Sequence, residues 1–226
     1  MNKLNISILR FPGTNCEYDT AYAFSSLGHS CKMVWHGDEN LDEDVDLVVI
    51  PGGFSYGDYL RSGSIARFSP VMRAVKDFAQ SGGRVLGICN GFQILTEAGL
   101  LPGALKRNDN LHFISRIQHV RVVDNNNSFL SRYKMGDVLR IPIAHADGNY
   151  YADDETLSDM ISGGQVLLKY CDGEGADMVV NGSIMNIAGI CNETKNVFGL
   201  MPHPERATEF LLGSGDGLKM LEGICS

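Results

Sequence analysis

The chain has 226 residues, 44% of them hydrophobic, which is enough to bury one substantial core but too few for two large domains. Its formal net charge of −8 lacks the basic excess that binding to a polyanion requires, so we expect no nucleic-acid partner. No apolar run approaches the roughly 18 residues of a membrane span, and the N-terminal stretch MNKLNISILR is too short and strand-like for a signal peptide. We therefore expect a cytoplasmic protein without a membrane partner.

The cysteines exclude two further classes of protein. The six thiols, at positions 16, 31, 89, 171, 191 and 225, show neither CxxC spacing nor a neighbouring pair of histidines. This argues against a zinc site and, in a chain of this size, against a disulfide framework. We expect no metal, and we expect five of the six to be ordinary reduced thiols.

The N-terminal segment predicts an α/β fold. A strand over residues 3–10 is followed by a helix over about 18–27, which Asn15 is placed to cap. A second strand is predicted over 31–35, and residues 46–50 (DLVVI) are a short apolar run typical of a parallel strand covered on both faces.

The next segment, PGGFSYGDYLRSGSIAR, begins at the carboxyl end of that strand. Gly52 and Gly53 allow unusual backbone angles and present N–H groups at the edge of a parallel sheet, where ligands bind. A loop of this kind, seen alone, is more often a plain glycine-rich turn. Beside a nucleophile it would supply the donors that acyl transfer needs for an oxyanion.

The most informative stretch is RVLGICNGFQILTEAG, residues 84–99, which follows an amphipathic helix predicted over 71–80. It predicts a buried strand, a turn between Gly87 and Gly91, and a helix of apolar period. Cys89 lies at the top of the turn, as in a nucleophile elbow with sulfur in place of serine oxygen, and the start of the helix favours a thiolate there. On this pentapeptide alone, a small buried cysteine that ends a strand remains the alternative.

The chain beyond the elbow predicts an antiparallel extension of the sheet. Its two β-forming segments, 113–123 and 137–143, are joined across the Asn-rich turn DNNNS. His145 ends a strand, a position where histidine is more often structural than functional. The remaining predicted elements are strands over 165–170, 187–190 and 196–200 and a closing helix over 217–224 that Asp216 is placed to cap.

The last strand runs directly into MPHPERA. Pro202 and Pro204 fix the backbone around His203, and alternation places His203 and Glu205 on the same side of an extended segment. His203 can take the proton of Cys89 and return it to a leaving group, while Glu205 orients the imidazole and stabilises its cation. The alternative is a strand-terminating loop with a surface histidine and glutamate.

Together these features resemble the triad (class I) glutamine amidotransferases. The strings RFPGTNC, PGGFSYGDYLRSG, GICNGFQIL, AHADGNYY and MPHPERA sharpen the resemblance to the family of glutaminase subunits of phosphoribosylformylglycinamidine synthase, over essentially the whole chain. The resemblance implies a single glutamine amidotransferase domain over residues 1–226. Its fold would have three layers, with a mixed, mostly parallel sheet flanked by helices.

The resemblance also implies roles for individual residues. Cys89 attacks the side-chain amide of glutamine, giving a γ-glutamyl thioester and ammonia, and water then releases glutamate. The backbone N–H groups of Gly53 and Asn90 hold the oxyanion. The implied glutamine-binding residues are Gly52, Gln93, His145 and Ala146.

Partners and cofactors follow from the same resemblance. Ammonia passes to a synthetase subunit that binds ATP, magnesium and formylglycinamide ribonucleotide, and a small bridging subunit completes the complex. No cofactor is expected in this chain, whose glycine-rich GSGDGLK lacks the Gly-Lys-Ser/Thr ending of a phosphate loop.

Two other functions stay open at this point. One is a γ-glutamyl peptidase that uses Cys89 and His203, against which Gln93 and the string GGFSYGDYLR argue. The other is a regulatory subunit or thiol sensor, which would oxidise at Cys89 without turning over glutamine.

The loop near the predicted site has two possible roles. It is either a docking or gating surface or a plain solvated loop, and its residues are Tyr56, Asp58, Tyr59 and Arg61.

Overall fold

The computed structural model describes residues 3–226, so Met1 and Asn2 of the predicted 1–226 domain lie outside the described residues. Its α-helices are α1 (Glu17–Ser26), α2 (Val71–Gln80), α3 (Asn90–Glu97), α4 (Asp154–Ser162) and α5 (Leu218–Ile224). Its strands are β1 (Asn5–Arg10), β2 (Ser30–Trp35), β3 (Leu47–Ile50), β4 (Arg84–Ile88), β5 (Ala104–Lys106), β6 (Ile114–Val122), β7 (Val138–His145), β8 (Asn149–Tyr151), β9 (Val166–Cys171), β10 (Ile187–Cys191) and β11 (Val197–Leu200). None of the helices in the described part of the chain is long and apolar enough to cross a lipid bilayer.

Nine strands form one sheet, in the order β2-β1-β3-β4-β11-β10-β9-β6-β7. Neighbouring strands from β2 to β11 in this order are parallel, and each pair beyond β11 is antiparallel. The predicted α/β class and mixed sheet are confirmed, including the antiparallel extension formed by β6 and β7.

The parallel half of the sheet is the most buried part. Every residue of β3 and of β11 is buried, and because successive side chains of a strand point to opposite faces, both faces are covered here. The buried apolar side chains of the described residues form one cluster that includes the antiparallel half. The carboxyl ends of β3, β4 and β11 are therefore held at one edge of a rigid core.

The connection between β6 and β7 is longer than the predicted Asn-rich turn. Residues 123–137 separate the strands, and Phe129 and Leu130 in this connection are fully buried. The Phe129 ring stacks on Phe198 of β11 with centroids 5.0 Å apart. The connection is thus a packed part of the core, which a turn signal in the sequence does not reveal.

Three elements are missing from the sequence prediction. β5 and β8 pair as a separate two-stranded antiparallel sheet, and each is too short to show a periodicity. α4 begins after Asp153, whose carboxylate accepts a hydrogen bond from the N–H of Thr156 at 2.8 Å. An aspartate N-cap followed by an acidic first turn was the available signal for this helix.

Both predicted helix caps are wrong. The N-cap residue of α1 is Cys16, whereas the Asn15 side chain accepts a hydrogen bond from the Cys16 thiol at 3.0 Å. The N-cap residue of α5 is Gly217, and the Asp216 carboxylate accepts a hydrogen bond from the backbone N–H of Arg140. The Asn15 side chain is bonded to its neighbour in sequence and the Asp216 side chain to a distant strand, so neither caps a helix.

Gly91 sets how closely α3 can approach β3. A β-carbon on residue 91 would lie 1.9 Å from the carbonyl oxygen of Ile50, a backbone atom that cannot rotate away. We expect Gly91→Ala to lower the free energy of unfolding by about 3 kcal/mol or more, measured by urea denaturation. In a chain of this length that loss corresponds to a fall in Tm of roughly 6–12 °C.

Gly215→Ala is the matched control, because its β-carbon would meet only ring atoms of Phe210 at 3.9 Å. We expect its free energy of unfolding to change by less than about 1 kcal/mol. Equal stability of the two variants would show that the approach of α3 to β3 does not depend on glycine.

Candidate active site

Cys89 lies in a sharp turn between the end of β4 and the first residue of α3, Asn90. Its φ of 51° and ψ of −103° are a combination that a residue with a β-carbon adopts only under constraint. Its N–H donates a hydrogen bond to the carbonyl of Leu200 in β11 at 2.8 Å. The predicted strand–turn–helix is confirmed, and the N–H of Asn90 is one of those that have no acceptor within the helix.

The predicted glycine loop lies at the carboxyl end of β3, against the RFPGTNC loop. The Gly52 carbonyl accepts hydrogen bonds from the N–H groups of Asn15 at 3.3 Å and Cys16 at 3.2 Å. A β-carbon on Gly53 would lie 2.7 Å from the Cα of Thr14, and the φ of Gly53 is +152°. The two loops are therefore fixed against each other by backbone contacts.

His203 and Glu205 form a buried pair. Their Nδ1 and Oε1 atoms are 2.6 Å apart, and the two side chains are 2% and 0% exposed. The pairing is as predicted, but the predicted extended segment is wrong, because Pro204–Arg206 is a turn of 3₁₀ helix that carries the carboxylate back to the ring. With Nδ1–H donating to the carboxylate, Nε2 is left for a substrate or thiol, and it is buried without a hydrogen-bond partner in the described chain.

The surroundings of His203 determine its charge. Burial lowers its pKa, but the negative charges of Glu205 and Cys89 raise it, and the resulting pKa lies well above the usual value. The imidazolium is therefore the favoured form near neutral pH. A proton held at this position is available for transfer to a leaving group.

A hydrogen-bond network ties the start of α3 to two loops. Asn90 accepts a bond from the N–H of Ser55 at 3.0 Å, and its Nδ2 donates to Gln93 Oε1 at 2.8 Å. Gln93 Nε2 donates in turn to the carbonyl of Asp147 at 2.6 Å. The buried Gln93 amide is thus fixed at both ends, which joins the loop after β3 to the segment after β7.

His145 is a buried neutral residue within a second network. Its Nδ1 lies 3.2 Å from Asn108 Oδ1, and its Nε2 lies 3.5 Å from the hydroxyl of Tyr170. Burial, and then the positive charge of His203, lower the pKa of His145 to about 4. Its side chain therefore braces the end of β7 without carrying charge.

The backbone of this segment approaches Cys89 at Ala144. Cys89 Sγ lies 3.6 Å from the carbonyl oxygen of Ala144. The next carbonyls are held from the other side, since Asn108 donates from its side chain to His145 and from its backbone to Ala146. A direct contact of His145 or Ala146 with glutamine stays a prediction.

The loop at residues 56–61 has a strained backbone. Tyr56, Asp58 and Leu60 all have φ between 53° and 69°, the left-handed region that residues with a β-carbon rarely adopt. Tyr59 is 74% exposed and Leu60 is 93% exposed. The loop therefore presents two apolar side chains to solvent.

The other side of this loop faces the site. Asp58 Oδ1 lies 3.5 Å from Asn90 Nδ2, and burial together with the charge of Asp147 raises the pKa of Asp58 to about 6. Arg61 makes two bonds to Glu97 at the end of α3, at 2.5 and 2.7 Å. Both ends of α3 are thus connected to the loop.

Cys16 and Arg206 are site residues that sequence reasoning missed. Arg206 Nη2 donates to Cys16 Sγ at 3.0 Å, and Arg206 Nε donates to Asp19 at 3.1 Å. The ligand atoms of Cys16, His203 and Glu205 lie within 4.8 Å of one another, and the Arg206 guanidinium beside them supplies positive charge. Both missed residues stand in the quoted strings RFPGTNC and MPHPERA, but no local pattern gives them a role.

A pocket of about 150 Å³ opens beside the thiol, and its lining comes from loops at the ends of several strands. These residues are Asn15, Cys16, Gly53, Phe54, Cys89, Phe113, Ala144, His203 and Arg206. Gly52, Gln93, His145 and Ala146 do not belong to this lining. A thiol, a buried imidazole–carboxylate pair and a glycine loop in one small pocket can carry out acyl transfer on a small amide.

Known proteins resemble the chain over its length. The family described as CobB/CobQ-like glutamine amidotransferase domain matches residues 3–215. The phosphoribosylformylglycinamidine synthase subunit PurQ of Sulfurimonas denitrificans is 61% identical over 221 residues, which cover 98% of this chain and 99% of that protein. The protein of the same name from Helicobacter hepaticus is 62% identical over 221 residues, covering 98% and 97%.

Solved structures also resemble the chain. A chain in the structure of PurLQS from Thermotoga maritima matches with a TM-score of 0.89 at 40% identity, covering 99% of this chain and 98% of that one. A glutamine amidotransferase from Thermotoga maritima matches with a TM-score of 0.59 at 17% identity, covering 91% and 77%, which shows the fold alone. The implied glutamine amidotransferase fold is confirmed. The chain therefore belongs to the PurQ family, the glutaminase components of phosphoribosylformylglycinamidine synthase in purine biosynthesis.

Proposed function

We propose that Cys89 is the nucleophile of this glutaminase and that His203 and Glu205 complete its triad. The observation that carries the proposal is the buried 2.6 Å contact between His203 and Glu205, close to a cysteine held in a strained elbow. The thiolate of Cys89 attacks the side-chain amide carbon of glutamine. His203 donates its Nε2 proton to the leaving nitrogen, and ammonia departs from a γ-glutamyl thioester.

The second half of the reaction reverses the proton transfer. His203, now neutral, takes a proton from water, the hydroxide attacks the thioester, and glutamate and Cys89 are released. In both halves the N–H groups of Gly53 and Asn90 hold the oxyanion, a contribution of about 10²–10³-fold per donor in related chemistry. The positions of the two residues support this assignment, because Gly53 follows β3 and Asn90 is the first residue of α3, next to Cys89.

We assign glutamine binding to Gly52, Gln93, His145 and Ala146. A β-carbon on Gly52 would lie 2.8 Å from His203 Cε1, so a larger residue at position 52 would push against the imidazole. Gln93 holds the Asp147 carbonyl, which fixes the segment containing the other two residues. The backbone of this segment is the surface offered to the substrate.

The product ammonia must reach a second site before it is lost to water. We propose that it passes to a synthetase subunit that binds ATP, magnesium and formylglycinamide ribonucleotide, with a small bridging subunit completing the complex, and that this chain has no cofactor of its own. The matched Thermotoga structure is that of PurLQS, and the relatives are named as subunits of phosphoribosylformylglycinamidine synthase. A cytoplasmic location agrees with the six free cysteines, because a reducing compartment keeps thiols unpaired.

The proposed nucleophile can be tested by covalent trapping. We expect diazo-oxo-norleucine, an electrophilic mimic of glutamine, to give a single adduct on Cys89 that excess glutamine suppresses, measured by intact mass and peptide mapping. Cys89→Ser is the control and should give no adduct. An adduct that forms only after adding the synthetase and bridging subunits would also support the assignment, with the partner assembling the site.

Absence of an adduct under both conditions would overturn the assignment of Cys89. Turnover of γ-glutamyl peptides in preference to glutamine would instead replace the substrate and favour the peptidase alternative. The labelling tests which residue is the nucleophile, and the substrate comparison tests which compound it attacks.

Glu205 controls the charge of His203, which gives a pH prediction. Because the Glu205 carboxylate raises the pKa of His203, Glu205→Gln should lower that pKa, so the imidazolium loses its proton at a lower pH. We expect the alkaline limb of the kcat/KM profile to move to lower pH and kcat to fall by roughly 10²-fold or more. Glu209→Gln, an exposed change nearby, is the control; a profile shifted equally in both variants would argue against a role of Glu205 in holding the charge.

We further propose that the loop at residues 56–61 docks the synthetase subunit, and that it transmits docking to the site. Leu60 is exposed on one side of this loop, while Asp58 on the other side faces Asn90. We expect Leu60→Asp to weaken binding of the synthetase subunit by about tenfold or more, a loss of about 1.4 kcal/mol, measured by calorimetric titration. Val179→Asp, also at an exposed apolar position, should bind normally; unchanged binding by both variants would leave residues 56–61 as a plain solvated loop.

A further inference from the structure

Cys16 is a buried nucleophilic residue that the proposed mechanism does not use. It is 2% exposed, precedes α1, and lines the same pocket as Cys89. We propose that Cys16 is a modification site: a peroxide oxidises Cys89, and Cys16 resolves the product to a Cys16–Cys89 disulfide that reversibly stops the glutaminase. The proposal rests on Cys89 being the nucleophile proposed above.

The contacts of Cys16 are those of a reactive thiol. Arg206 Nη2 donates to its sulfur at 3.0 Å, and the Cys16 thiol donates to Asn15 Oδ1 at 3.0 Å. These two contacts hold the sulfur at the pocket wall beside a positive charge, the kind of surroundings in which reactive cysteines are found. Arg206 is itself held by Asp19, so this positive charge stays beside Cys16.

Cys16 and Cys89 line one pocket, and both lie against Gly52. The position of a β-carbon on Gly52 lies 3.0 Å from Cys16 Sγ, 3.5 Å from Cys89 Cβ and 2.8 Å from His203 Cε1. Both cysteines thus border the same gap, together with the unpartnered imidazole edge of His203. A disulfide places its two β-carbons about 3.5–4.5 Å apart, and the pocket that both cysteines line is the space in which Cys89 turns from Ala144 towards Cys16.

A metal ion is the competing occupant of this cluster. Cys16, His203 and Glu205 have suitable atoms within 4.8 Å of one another. However, the Arg206 guanidinium contacts Cys16 and lies 4.0 Å from a carboxylate oxygen of Glu205. A cation placed between these groups would be repelled at short range, so the observed charges favour thiol chemistry over metal binding.

The chemistry balances with hydrogen peroxide as the oxidant. The Cys89 thiolate attacks one peroxide oxygen, the O–O bond breaks, and the hydroxide released takes a proton to leave as water, with Cys89 as a sulfenic acid. The Cys16 thiolate then attacks the Cys89 sulfur, the S–O bond breaks, and a second hydroxide leaves as water with a proton that His203 can supply. The two thiols together lose two electrons, and peroxide gains them.

The disulfide has two consequences for the enzyme. It removes the nucleophile, so glutamine is no longer cleaved, and it keeps Cys89 from further oxidation to sulfinic acid, which a thiol reductant does not reverse. Activity should therefore return when a dithiol reductant exchanges with the disulfide. Without Cys16, the sulfenic acid would have no partner in the pocket.

The test is peroxide treatment of the full chain in its complex, in the presence of a chelator to exclude metal effects. We expect a Cys16–Cys89 cross-linked peptide under non-reducing conditions, lost on reduction. Glutaminase activity, expressed relative to each untreated sample, should fall with peroxide and return with dithiothreitol. In Cys16→Ser the loss should persist, with recovery lower by about fivefold or more.

Cys16→Ala serves as a second variant in case the serine disturbs α1, and Cys31→Ser is the matched cysteine control, which should recover like the unaltered chain. Absence of the cross-link, together with equal recovery of all variants, would overturn the proposal. If the unaltered chain still takes the diazo-oxo-norleucine adduct on Cys89 in that case, the proposed function stands and only the role of Cys16 is lost.

Discussion

The constraint on which the site depends is the backbone contact of α3 with the ends of β3 and β4. A β-carbon on Gly87 would lie 2.7 Å from the carbonyl carbon of Gly91, and one on Gly91 would lie 1.9 Å from the carbonyl oxygen of Ile50. At this separation the chain has one residue, Cys89, in which to turn from strand to helix, and that residue takes a φ of 51°. The strain at the thiol is thus a consequence of packing, and the core on both sides of the sheet holds it in place.

The strand order then brings the His203 imidazole and the Ala144 carbonyl close to the Cys89 thiol. β11 pairs with β4 although more than a hundred residues separate them, so the chain that leaves β11 passes beside the elbow. Its His203 donates from its N–H to the carbonyl of Pro142 in β7 at 2.8 Å, which ties the parallel half of the sheet to the antiparallel half. The imidazole and the Ala144 carbonyl are therefore positioned by two different halves of one sheet, with the nucleophile between them.

Sequence reasoning succeeds here where the signal is local. Three features are determined by the packing of a single segment and were therefore predictable. They are the apolar run of β3, the period of α2 and the glycines around Cys89. It fails where distant segments decide the outcome. Asp216 bonds to Arg140 instead of capping α5, Pro204–Arg206 bends because Glu205 pairs with a buried ring, and Cys16 matters only because its loop packs on Gly52. The spacing of residues along the sequence does not reveal those contacts.

Two of the buried polar atoms that lack a hydrogen-bond partner lie close to the strained turn at Cys89. Nε2 of His203 and Oε2 of Glu205 are buried without hydrogen bonds in the described chain, an arrangement that costs stability in a resting protein. In the proposed mechanism a bound amide supplies a partner for Nε2, so substrate binding offsets this cost. The imidazole is oriented from Nδ1 alone: the fixed carboxylate holds the ring, and the opposite nitrogen stays available for the proposed proton transfers.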